Sequence, residues 1–354
     1  MNKNVDISAV DKNFAASVLE EDGIEYYDAD QAPLRVYGLI REDGVYARVP
    51  SEVAKQASEQ LEMLNHNTAG GRVRLKTDSD VIYIKCMMPQ SWRMRHMADA
   101  GSSGFDVYEV IGKKHLYLGV ILPPRENVKE YTEKINVPEG MHDIEINMPL
   151  YSAAGKVYVG VKKGSRVLEG GRYTYEKPIV YYGSSITQGA CASRPGNTYQ
   201  GMISRRFDTN YINLGYSGNA KGHPAMIKYI STLDMSIFVL DYDHNAVTPE
   251  KLKDTHYAAY KTVRDAQPGL PIIMASRTDF DKPLQPGKPF RDVVAETYER
   301  AIAEGDKNVY FIDGEKEFKH FVREGRTVDG SHPNDLGFEK MAKVFGKIIG
   351  KLLK

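Results

Sequence analysis

From Ile179 onward, short apolar runs alternate with helix-period stretches, and that alternation constrains the fold more than any other feature of the chain. The runs are Ile179 to Tyr182, Tyr211 to Leu214, Ile237 to Leu240, Pro271 to Met274 and Val309 to Ile312, with amphipathic stretches such as Pro249 to Ala266 and Phe290 to Ala303 between them. Parallel strands need long crossovers, so this order demands a parallel, doubly wound sheet of about five strands with helices on both faces. The last helix is the clearest. Phe338, Met341, Phe345, Ile348 and Leu352 recur at three- and four-residue steps, while Lys340, Lys343, Lys347 and Lys351 lie off that stripe. Asn334 or Asp335 caps its start, and the stripe anchors the preceding loop against the sheet.

Before Gly170-Gly171-Arg172 the pattern changes. Val81 to Cys86, Phe105 to Val110, Leu116 to Val120, Tyr131 to Val137, Ile144 to Met148 and Lys156 to Val161 are β-prone runs at short spacing, which suits a β-sandwich or jelly roll. Asn65 to Gly71 reads as a loop ahead of them. The expected organisation is therefore a β-sandwich domain over residues 1–172 and an α/β domain over 173–354. The junction is too short for a flexible tether, so the domains are expected to pack directly, with loops such as Trp92 to His96 or Gly101 to Phe105 reaching across.

Chemistry concentrates where the first α/β strand breaks into Gly183-Ser184-Ser185-Ile186-Thr187-Gln188-Gly189, and at Asp329-Gly330-Ser331-His332-Pro333. A serine hydroxyl is a weak nucleophile until a base takes its proton, and that base needs a third group to fix its tautomer. Ser185, His332 and Asp329 supply those types, and the small residues around Ser185 leave its backbone N–H open to a developing oxyanion. Read singly, each block is also an ordinary turn before a capped helix. Two further strand ends add polar groups on the same edge of the sheet: Gly215-Tyr216-Ser217-Gly218-Asn219 and Asp241-Tyr242-Asp243-His244-Asn245. In open α/β sheets that edge is where ligands bind.

Four such blocks in this order resemble those of the SGNH hydrolases, also called GDSL-type esterases. The resemblance implies a flavodoxin-like, three-layer α/β/α domain with Ser185 as nucleophile and His332 as general base oriented by Asp329. It implies an oxyanion hole made by the Ser185 and Gly218 N–H groups and the Asn245 amide. Two blocks depart from the usual pattern: Gly183-Ser184-Ser185 stands for Gly-Asp-Ser, and Asp243-His244-Asn245-Ala246 for Gly-x-Asn-Asp. Neither departure removes a proposed catalytic group. Upstream, Gly104-Phe105-Asp106-Val107-Tyr108 resembles the Gly-x-Asp-Leu-Tyr signature of a β-domain that precedes some members, with Val107 for leucine.

Other chemistries lack their motifs. Thr187 stands where a Gly-x-Ser-x-Gly elbow needs its second glycine, and no Gly-x4-Gly-Lys-Ser/Thr phosphate loop occurs. The histidines are scattered, the two cysteines are far apart and His-Glu-x-x-His is absent, so neither a zinc site nor any other cofactor is expected. Lys+Arg 47 balances Asp+Glu 47, so no net field recruits nucleic acid or an anionic membrane. No segment reads as a signal peptide or membrane span, which makes a reducing cytoplasm the expected location, with Cys86 and Cys191 unpaired in different domains. Nothing in the composition bars self-association.

The expected activity is serine-ester hydrolysis of short acyl groups, acetyl above all, on plant-derived oligosaccharides, similar to carbohydrate O-acetyl esterases. The alternatives are a lipase or thioesterase of the same family and a catalytically silent glycan-binding protein. Three residues stand as candidate substrate contacts with bland alternatives. Trp92 is a sugar-stacking or a packing residue, Arg277 a substrate contact or an ion-pair partner, and His244 a pocket wall beside Asn245.

Overall fold

The computed structural model describes residues 18–91, 93–124, 128–283 and 287–353. Trp92 lies outside them. The N-terminal half is two antiparallel sheets face to face. One has the order Val18–Glu21, Ile24–Asp28, Lys156–Lys162, Val81–Met87 and Glu130–Asn136. The other runs Val167–Glu169, Arg72–Thr77, His142–Asn147, Phe105–Ile111 and Lys114–Ile121, with Arg35–Tyr37 also paired to Arg72–Thr77. Alternation sets the core. In Val81–Met87 every second residue, Ile82, Ile84 and Cys86, is fully buried, and these meet Val73, Leu75, Phe105, Val107, Ile144 and Ile146 of the facing sheet.

The C-terminal half is a parallel five-stranded sheet in the order Thr209–Gly215, Tyr175–Gly183, Ile237–Asp241, Ile272–Ala275 and Val309–Ile312. Helices cover both faces, so the inner strands Ile237–Asp241 and Ile272–Ala275 are buried throughout rather than alternating. Ile179 and Tyr181 enter one core with Tyr199, Phe338 and Phe345, and Val180 and Tyr182 enter the other with Leu214, Phe238 and Leu240. The strand order changes direction around Tyr175–Gly183, which opens a crevice at its C-terminal end. The last helix spans Asp335–Leu352 and is capped by the Asn334 side chain, which accepts from the Gly337 N–H. No helix among the described residues is long and apolar enough to cross a membrane.

The fourth α/β strand begins at Ile272, one residue after the expected Pro271, since proline has no N–H for the ladder. Strands at Ile24–Asp28 and Arg72–Thr77 and short helices at Ser51–Ala57 and Glu59–Asn65 lie outside the expected set. Asn65, expected in a loop, ends the second of these helices. The segment around Gly170 is bound, not tethered: the Gly171 N–H donates to Asp143 at 2.8 Å, and a Cβ on Gly170 would lie 2.7 Å from the Leu75 nitrogen.

The Gly-Phe-Asp-Val-Tyr signature faces the other half of the molecule. Asp106, fully buried, accepts from the Gly196 N–H at 2.8 Å and the Arg194 guanidinium at 3.0 Å. The Tyr108 hydroxyl bonds the same guanidinium, and Arg205 lies 4.4 Å from the Tyr108 ring centroid. Burial pushes the Asp106 carboxyl up, against the pull of Arg194 and Arg205. Removing one partner of such a pair leaves the other unmatched, so Asp106→Ala is expected to cost about 3 kcal/mol of stability. Chemical denaturation measures this, and an unchanged midpoint and slope would show that the clamp carries no stability.

Candidate active site

Ser185 owes its position to a backbone that only glycine permits. At Gly183 an added Cβ would lie 2.0 Å from the Thr187 hydroxyl and 2.3 Å from the Asp241 carbonyl, so the strand can turn there only without a side chain. Ser184 then caps the four-residue helix Ser185–Gln188, its hydroxyl accepting from the Ile186 N–H. The Ser185 N–H is thus one of the orphan amides of a helix start. Gly189, at φ +111°, ends the turn.

The Ser185 Oγ stands 2.9 Å from His332 Nε2. His332 Nδ1 stands 2.7 Å from Asp329 Oδ2, while Asp329 Oδ1 accepts from the backbone N–H groups of His332 at 2.8 Å and Ser331 at 3.0 Å. Taken together, these partners assign the Nδ1–H tautomer, which leaves the Nε2 lone pair toward the serine proton. Burial acts to raise the Asp329 carboxyl, but the His332 ring and backbone outweigh it and hold it at about 2. The carboxylate is charged wherever the imidazole is a usable base.

Gly218 sits at φ +69° in a turn closed by the Asn219 and Ala220 N–H groups on the Tyr216 carbonyl. The Asn245 amide donates to that same carbonyl at 2.9 Å, which ties the third strand's loop to the second's. A primary amide has two N–H donors, so one remains for a ligand. Beside Asn245 opens a mostly apolar cavity of about 390 Å³, walled by Tyr242, Ala246, Val247 and Thr248.

Arg277 takes the ion-pair place that stood as its alternative to a substrate contact, and His244 is walled in beside Asn245 by carboxylates. The Arg277 guanidinium pairs with both oxygens of Asp279, at 2.7 and 3.1 Å. His244 lies with Nε2 3.2 Å from Asp279 and Nδ1 3.3 Å from Asp243, its side chain 8% exposed. Both polar groups face carboxylates. Asp279 also accepts from the Ser331 hydroxyl at 3.1 Å, so the cluster braces the His332 loop. Burial alone would lower the His244 pKa, but the two carboxylates reverse this and push it up to about 9.

Sequence reading missed most of the contacts that the N-terminal half makes here. The Tyr151 hydroxyl donates to the Ser185 carbonyl at 3.3 Å. Gln188, fully buried, donates to Asn67 at 3.0 Å and to the Leu150 carbonyl at 3.1 Å, and accepts from the Ser217 N–H at 3.0 Å. The exposed His96 ring lies 5.8 Å, centroid to centroid, from the His332 ring. Cys191, at φ +70°, is buried nearby, and its thiol is pushed up to about 12 by burial and by the Asp329 charge. The Gly-Phe-Asp-Val-Tyr signature and the expected reach of the loop Trp92 to His96 hinted at such contacts; nothing local marks Tyr151 or Gln188.

Residues 176–350 match the model of the GDSL-like lipase/acylhydrolase family, and residues 24–167 that of the N-terminus of SGNH-hydrolase-type esterases. A solved protein described as a GDSL-like lipase, from Bacteroides ovatus, is 29% identical with a TM-score of 0.83, covering 93% of this chain and 98% of its own. A salicylyl-acyltransferase from a tetracycline biosynthetic pathway is 18% identical with a TM-score of 0.76, covering 94% and 98%. An acetyl xylan esterase from the rumen bacterium Butyrivibrio proteoclasticus is 11% identical with a TM-score of 0.59, covering 93% and 99%. A comparison with curated proteins finds no match.

The elevated His244 pKa has a stability consequence. A group whose folded pKa lies above its unfolded value of 6.5 contributes stability that is fully present below 6.5 and is lost as pH rises through about 9. Wild-type protein is therefore expected to lose thermal stability relative to His244→Gln across that window, with the largest difference on the acidic side of it. Parallel melting curves from pH 6 to 10 measure this, and a pH-independent difference would show that folding does not shift the His244 pKa.

Proposed function

Because residues 176–350 belong to the GDSL-like lipase/acylhydrolase family and residues 24–167 form the N-terminal domain of SGNH-type esterases, we propose that this ester hydrolase removes short acyl groups, chiefly acetyl, from carbohydrates. The observation that carries the reading is the continuous hydrogen-bonded path from the Ser185 hydroxyl through His332 to Asp329.

In this reading the Ser185 Oγ attacks the ester carbonyl and its proton passes to His332 Nε2. The oxyanion is received by the Ser185 and Gly218 N–H groups and the free N–H of the Asn245 amide, donors fixed before the charge appears. The bond to the sugar oxygen then breaks and His332 returns the proton to that oxygen. Water attacks the acyl-serine with His332 again as base, releasing the carboxylic acid and restoring Ser185. The sugar preference draws on the β-domain that packs beside the site and on the likeness in fold to a protein described as an acetyl xylan esterase.

Ser185→Ala and His332→Ala are each expected to lower kcat by several orders of magnitude, and the double variant to be little worse, since the two act as one unit. Steady-state kinetics on p-nitrophenyl acetate tests this. Additive losses would separate the two residues, and retained activity in Ser185→Ala would remove the acyl-enzyme.

One feature favours a second reading, a lipase or thioesterase: the apolar cavity beside Asn245. If an acyl chain occupies it, each methylene buried there adds about 0.8 kcal/mol, and kcat/KM climbs with chain length. Under the acetyl reading, acetyl esters turn over faster than octanoyl esters, and Val247→Trp, which fills the cavity mouth, leaves acetyl turnover unchanged. A rise from acetyl to octanoyl that Val247→Trp abolishes would select the lipase reading.

A further inference from the structure

Sequence spacing argued against any metal site, yet folding gathers three separated donors at the mouth of the catalytic cleft. Ligand atoms of His96, Cys191 and His332 all lie within 4.8 Å of one another. They come from an exposed turn of the N-terminal half, the loop after the nucleophile helix and the loop before the last helix. We propose that these three side chains form an inhibitory site for a thiophilic divalent cation, zinc above all, which holds the esterase inactive by occupying the general base.

The donor set is the first argument. Two imidazoles and a thiol form a borderline-soft N2S set, which selects zinc over magnesium or calcium, since these prefer oxygen. Around a tetrahedral zinc, with bonds of about 2.0–2.3 Å, ligand atoms stand about 3.3–3.8 Å apart, so no pair needs to close by more than about 1 to 1.5 Å. His96 can make that movement, because its side chain is exposed at a turn. Cys191 is held in place by burial.

The second argument is independent of the donors. Metal-binding histidines commonly donate their other ring N–H to a carboxylate, which fixes the tautomer and raises ligand basicity. His332 already does so toward Asp329 at 2.7 Å, leaving Nε2 as the nitrogen with a lone pair to give. That lone pair also accepts the Ser185 proton. As the metal binds, the Cys191 S–H releases its proton to water and a sulfur–metal bond forms. Nε2 then bonds the metal, and the Ser185 hydroxyl loses its acceptor. With three protein ligands, one position is left for water.

The test uses the full chain after chelator treatment. Zinc ion is expected to abolish p-nitrophenyl acetate hydrolysis at one equivalent, reversibly with added chelator. His96→Ala and Cys191→Ser are expected to keep basal hydrolysis while weakening zinc inhibition by at least about tenfold each, the floor set by losses seen for even outer partners of metal sites. The inference rests on the esterase reading only for this readout. Cobalt ion gives a second one that needs no turnover: a thiolate-to-cobalt charge-transfer band in wild type that is absent in Cys191→Ser and weakened in His96→Ala and His332→Ala. Undiminished zinc inhibition in His96→Ala and Cys191→Ser, activation by zinc, or no thiolate band in wild type would each overturn the site.

Discussion

The catalytic sheet has an open edge, and two buried arginines from the other half of the chain close it. Thr209–Gly215 is an outer strand, and its carbonyls face away from any strand partner on that side. Arg72, fully buried, donates to the Tyr211 carbonyl at 3.1 Å and to the Asn210 side chain at 2.6 Å, with its guanidinium 3.9 Å from the Tyr211 ring centroid. Arg48 donates to the Gly215 carbonyl and lies 4.0 Å from the Tyr216 ring centroid. An unpaired strand edge invites aggregation, and a buried guanidinium without acceptors is strongly destabilising. Each liability resolves the other, which makes the N-terminal half part of the catalytic sheet's own stability.

The same contact surface positions Ser185. Gln188 joins the loop after Ser185, the Ser217 turn and the N-terminal Asn67 and Leu150 in one set of bonds, and Tyr151 holds the Ser185 carbonyl from the same side. Close packing reinforces this at Gly70, where an added Cβ would lie 2.7 Å from the Asn213 Cβ. A small displacement of the β-sandwich would thus be transmitted to the serine, and proximity effects in catalysis are sensitive to shifts of that size.

How much of this the sequence shows depends on whether a feature is local. The five α/β strands, the helix Pro249–Ala266 and the last helix are legible because their burial follows from period and length. Ser185 is legible because it stands at a strand end, and Asp329 and His332 because they lie three residues apart just ahead of the last helix. Arg72-Val-Arg-Leu-Lys-Thr was missed as a strand because its arginines are buried by partners far along the chain: Tyr211 and Asn210 for Arg72, and Glu145, whose oxygen lies 2.9 Å away, for Arg74. The sequence leaves Arg277 open between a ligand contact and an ion pair, and it reads His244 as a pocket wall; buried Asp279 pairs with the Arg277 guanidinium, and Asp243 and Asp279 flank the His244 ring. Buried charges demand such partners, and the sequence does not say which acid turns inward.

Ser185 and His332 are therefore held by different physics. Ser185 is held by its own turn and by long-range bonds to the N-terminal half, whereas His332 is fixed largely within one short loop. Gly330, at φ +83°, lets the backbone curl so that one Asp329 oxygen takes the Ser331 and His332 N–H groups and the other takes the ring. With both oxygens engaged the carboxylate cannot rotate, and its tautomer control needs no substrate. The helix behind, packed through Phe338 and Phe345 on Tyr199, and the Ser331–Asp279 bond hold that loop at the right height. Such a division leaves the Ser185–His332 distance as the one catalytic dimension that depends on the two modules staying in register.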